Sequence, residues 1–109
     1  MLQEAKKALR VTVDDFDSEI ASLLEAGAHD LEIAGVILPG TVVFSEANGT
    51  VTDTSSLDDP LCQRAIFTYA AMRFGNPPNY DKLAAAYELQ KVQLMHSAEY
   101  TDYGGECGC

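Results

Sequence analysis

Pro60 and the pair Pro77-Pro78 enclose a stretch with one regular conformation open to it. Proline is tolerated in the first turn of a helix, where its missing N–H costs nothing, and it forbids helix immediately before it. Asp58 or Asp59 stands ahead of Pro60 as N-cap, and Gly75-Asn76-Pro77-Pro78 stops the chain at the far end. Between them Leu61, Ala65, Ile66, Tyr69, Ala70 and Phe74 recur at helical spacing as one apolar stripe. Asn79 then caps a last helix, running to about Ser97, that carries Leu83, Ala86, Tyr87, Leu89 or Gln90, and Leu94.

The N-terminal half repeats this logic with weaker punctuation. Residues 2–10 place Leu2, Ala5 and Leu9 on one face of a short helix beside Lys6, Lys7 and Arg10. The β-branched run Val11-Thr12-Val13 interrupts it. A long helix is expected from about 14 to 34, capped by Thr12 or Asp14 and ending near Gly35. Phe16, Ile20, Leu23, Leu24, Ala28 and Leu31 are its apolar positions. Gly27 inside it costs about 1 kcal/mol relative to Ala, which marks it for a close helix–helix contact. Residues 36–57 differ. Asn48-Gly49 between β-formers signals a hairpin, with Glu46 opposite Val51 and Phe44 opposite Asp53. A lone hairpin is marginal in water, so this one should lean on the helices or on another subunit. The expected fold is mainly α: a bundle of three to four helices with a loop or β-hairpin inserted at about 36–57. Residues 1–100 form its single domain and 101–109 a flexible tail.

Composition limits function. The 109 residues hold 17 Asp or Glu against 7 Lys or Arg, a net charge of −10. A phosphate-binding face must be basic, so gripping nucleic acid is disfavoured, as is an anionic membrane surface. No apolar run approaches the roughly 20 residues that span a bilayer, and Met1–Arg10 lacks the apolar stretch of a signal peptide. A soluble, cytosolic protein is expected.

The candidate chemical sites each have a simpler reading. His29 and His96 lack a partner at metal-ligand spacing. Asp15, Asp17 and Glu19 imitate a calcium loop, but Ile20 and Ala26 stand where Gly and Glu are required. Asn48-Gly49-Thr50 is explained by the turn rather than by glycosylation. Cys107 and Cys109 supply at most half a zinc site, and Cys62 reads as a small buried hydrophobe. No nucleophile–base pair is visible. The expectation is no enzyme, no catalytic residue, no metal and no cofactor. A small acidic helical regulator, for instance a DNA mimic, is the alternative that the charge supports.

Two blocks carry a resemblance. Lys7 to Arg10 followed by Val11 to Ile20, and Asp59-Pro60-Leu61 through Arg64-Ala65-Ile66 to Phe74-Gly75-Asn76-Pro77, resemble the head–tail connector (adaptor) proteins of tailed bacteriophages. The last helix, with Leu83, Tyr87 and Leu89, fits as well. The 37–57 insert is longer than that pattern. The resemblance implies a virion structural protein assembled in the host cytoplasm. It would form a homo-oligomeric ring, expected to be dodecameric like the portal, docked beneath the portal protein. The ring would extend the DNA channel, let DNA pass without specific binding, and offer a platform to head-closure or tail proteins. Lys6, Lys7 and Arg10 against Asp14, Asp15 and Asp17 are the expected subunit interface. Phe44, Asn48, Gly49, Tyr100 and Tyr103 are the expected partner contacts.

Overall fold

The computed structural model describes residues 1–75 and 78–96. Four helices and one hairpin occur in the order α1 (Leu2–Leu9), α2 (Asp17–Ile33), β1 (Phe44–Ala47), β2 (Thr50–Asp53), α3 (Pro60–Arg73) and α4 (Tyr80–Met95). The mainly helical bundle with an inserted hairpin is therefore observed.

Helix α3 is the centre, with α2 and α4 packed along it and α1 bridging α2 and α3. Ile20, Leu24, Leu31, Val36, Cys62 and Ile66 are the largest fully buried side chains. Each large aliphatic contributes roughly 1.5–3 kcal/mol on leaving water. Gly27 does mark a close approach: a Cβ there would stand 3.1 Å from the Tyr69 ring of α3.

The helix ends follow their sequence signals unevenly. Asp59 caps α3, its Oδ1 accepting from the N–H groups of Leu61 at 3.0 Å and Cys62 at 3.1 Å. Gly35, at φ 101°, closes α2 with Val36 N–H bonded to Leu31 O and Gly35 N–H to Glu32 O. Val36 packs back into the core beside Leu31. Arg10 closes α1 in the same left-handed way at φ 60°, a conformation usually given to glycine.

Other expectations need correction. Helix α2 begins at Asp17, not 14, and neither Thr12 nor Asp14 caps it. Asp14 instead forms a turn with Asp17, N–H to O 3.2 Å, and turns its carboxylate to Lys6. Asn79 occupies the cap position of α4 without a side-chain cap bond. Leu61 is 53 % exposed and Leu89 62 %, so neither belongs to the core stripes. The expected end of α4 near Ser97 lies outside the described residues.

The hairpin has the register expected of its turn, Phe44 opposite Asp53 and Glu46 opposite Val51. Asn48 and Gly49 both take positive φ, 54° and 79°. It leans on α2. Phe44 and Val51 pack against the core, Phe44 N–H donates to Glu25 at 3.0 Å, and Ser18 Oγ donates to Glu46 at 2.9 Å. Below the strands the pairing continues irregularly, Thr54 N–H to Val43 O and Ser56 N–H to Thr41 O. Gly40 fits against Leu57 there, where a Cβ would come within 2.7 Å of the Leu57 Cα.

Candidate assembly interface

The charged residues singled out at the N-terminus divide into two groups. Lys6 is covered by its surroundings, only 5 % exposed, and its ammonium emerges between Asp14 at 2.7 Å and Asp17 at 2.8 Å. Hydrogen bonds to Asp14 and then Asp17 raise its pKa, so it stays charged. These three residues join α1 to the start of α2 within one subunit. Lys7, Arg10 and Asp15 remain exposed, and among the described residues no ion pair engages them. Of the six residues expected at a subunit interface, only these three keep free charge for a neighbour.

The expected partner contacts divide similarly. Phe44 is half-buried against α2, while Asn48 and Gly49 form the exposed tip of the hairpin. Tyr100 and Tyr103 lie outside the described residues.

The root of the hairpin has a role that hydrophobic pattern did not reveal. Asp53 Oδ2 accepts from Leu2 N–H at 2.8 Å and from the Met1 ammonium at 2.7 Å. It thus caps α1 across the fold. Burial alone would raise the Asp53 pKa, but the bonds from the ammonium, Leu2 and Ser55 outweigh it and hold the carboxyl at about 2. The only sequence signal for this was an acid at a strand end.

On the opposite side, α2 and α4 meet through polar and aromatic groups. Tyr87 donates a short hydrogen bond to Asp30, and its ring meets Tyr69 edge-on at 5.4 Å between centroids. Lys91 lies 3.5 Å from Asp30 and 3.1 Å from Glu88, and Arg73 covers the Tyr69 ring. These residues line a cleft of about 240 Å³. Burial and then Asp30 push the Tyr87 pKa up, so the phenol stays protonated and can donate.

Reactive chemistry finds little support in this geometry. Burial, reinforced by Asp59, pushes the Cys62 thiol up to about 12, which leaves it a thiol rather than a nucleophile. His29 is exposed, 3.8 Å from Glu32. Among the described residues no three His, Cys, Asp or Glu stand together as a metal site. No described helix is long and apolar enough to cross a membrane.

Comparison with known families gives one match. The family model described as phage connector protein matches residues 1–101. The chain belongs to the phage connector family. No curated protein and no solved structure matches it. The match spans all four helices and the hairpin of this connector, so the insert lies inside the family domain. The family gives the chain a structural role as a head–tail connector protein.

Proposed function

We propose that this chain is a ring-forming subunit at the phage head–tail junction, with no enzymatic activity. The ring docks beneath the portal protein, extends the DNA channel, and offers head-closure or tail proteins their platform. The observation that carries this reading is the family match over residues 1–101. Charge supports it. A wall of net charge −10 per subunit repels phosphate, so duplex DNA slides rather than binds. Such a protein resides in the virion after assembling in the host cytoplasm. The hairpin tip at Asn48-Gly49 and the segment containing Tyr100 and Tyr103 are proposed to meet its partners.

Light scattering and electron microscopy of the full chain, with and without a portal ring, test this. The expected result is a ring of portal-like symmetry, a dodecamer, on the portal. Deleting residues 101–109 should leave the helix signal in circular dichroism unchanged and weaken docking. Absence of any oligomer in both conditions, or tight retention of duplex DNA at physiological salt, would overturn the reading.

A further inference from the structure

The tip of the hairpin carries an asparagine whose own neighbour can attack it. Asparagine occurs at positions 48, 76 and 79. Asn76 precedes Pro77, whose ring nitrogen carries no hydrogen and is closed to this chemistry. Asn79 precedes Tyr80, whose bulky side chain crowds its nitrogen and whose backbone is held as the first residue of α4. Asn48 precedes Gly49, and a Cβ placed at Gly49 would meet nothing within 4 Å. The approach to the Gly49 nitrogen is therefore open.

The fold leaves both reacting groups uncommitted. Ala47 pairs with Thr50, so the bond that closes the turn runs between those two residues, and the N–H groups of the central pair stay outside the ladder. Among the described residues no hydrogen bond engages the Asn48 side chain. Residues 47–50 are all exposed, and the hairpin is seated on α2 below them, through Phe44, Glu46 and Val51. A two-stranded tip with no packing of its own opens locally far more readily than the bundle unfolds. Opening lets the Asn48 carboxamide turn toward the Gly49 nitrogen, and closure of a five-membered ring has the advantage of intramolecular attack.

We propose that Asn48 is a modification site, at which the folded chain converts spontaneously to aspartate and isoaspartate. Solvent hydroxide takes the Gly49 amide proton, and the nitrogen attacks Asn48 Cγ. The bond from Gly49 N to Cγ forms, the bond from Cγ to Nδ2 breaks, and ammonia leaves with a proton from water. Water then opens the succinimide. Cleavage between Gly49 N and Cγ gives aspartate with the main chain unaltered. Cleavage between Gly49 N and the Asn48 carbonyl carbon gives isoaspartate, whose main chain runs through Cβ and Cγ. No oxidant or reductant takes part. Either product adds a negative charge close to Glu46. Asp-Gly suits the same two-residue turn, so the aspartate product keeps the hairpin. Isoaspartate lengthens the main chain by a methylene, and the Ala47–Thr50 pair no longer closes over two ordinary residues. The reaction needs no partner, so the inference stands apart from the connector reading.

The full chain, folded and held at mildly alkaline pH, tests this beside the variant Asn48→Gly, which keeps a turn-compatible pair. Mass spectrometry of the intact chain and of its peptides reads the conversion, and a protease that cuts before aspartate but not before isoaspartate separates the products. The wild type should gain the mass of an amide-to-acid change, confined to the peptide containing Asn48, faster as the pH rises, and as a mixture of both products. Circular dichroism should show unchanged helix content throughout. The variant should gain no mass. A wild-type chain that gains no mass while folded overturns the inference, whether or not it does so in urea. Conversion at Asn79 to the same extent, or an equal gain in the Asn48→Gly chain, overturns it as well.

Discussion

Arg10 holds a left-handed conformation at φ 60° that glycine adopts without steric cost. Its exposed guanidinium is also among the few cations left free for a neighbour. Arg10→Gly should therefore separate stability from assembly. The folded chain should gain about 0.5–1 kcal/mol in urea titration, the relief of strain being partly offset by the freer unfolded state. Subunit association should weaken in parallel. The opposite case is Gly40, whose backbone lies against that of Leu57. A methyl group there meets backbone atoms rather than a flexible side chain, so the loop must move. Gly40→Ala should cost about 1–3 kcal/mol by the same titration. Both effects were invisible in the sequence. Nothing about Gly40 announced its approach to Leu57, and nothing about Arg10 announced its backbone angle.

Elements were more legible than their ends. Helix α3 was readable in full because proline and a capping aspartate act locally, and the hairpin register followed from Asn48-Gly49 alone. Helix α2 was placed three residues too early because acids suit a helix start in general. Here Asp14 is drawn instead to Lys6, a contact across the α1–α2 junction that local pattern cannot see. The link from Asp53 to α1 was hidden for the same reason, since 51 residues separate Leu2 from its cap. That link has a pH signature. Asp53 has a folded pKa of about 2 against an ordinary 3.8, so its contribution is complete above about pH 4. It is lost as the pH falls toward 2. Because the carboxylate is partly solvated, Asp53→Asn should cost only about 0.5–1 kcal/mol at neutral pH. The variant and wild type should converge below pH 2 in thermal melts. A constant difference between them down to that pH would show that the carboxylate charge is not what holds α1.

At the scale of the whole molecule, the position of seven bases among seventeen acids decides what each base can do. Lys6 lies within the fold, bound to Asp14 and Asp17, whereas Lys7 and Arg10, close by on the same short helix, face solvent. Reversing them should have opposite consequences. Lys6→Glu sets three acids together at the α1–α2 junction, so the melting temperature should fall even in the isolated subunit. Lys7→Glu with Arg10→Glu should leave the melting temperature close to wild type, as exposed substitutions usually do. It should instead weaken association with the acidic outer face of a neighbouring α2. Exposed charge pairs contribute about 0–1 kcal/mol each and are screened by salt. Light scattering should accordingly show the loss at low ionic strength and little difference at high ionic strength. Equal assembly of the double variant and wild type at low salt would assign Lys7 and Arg10 to solvent alone.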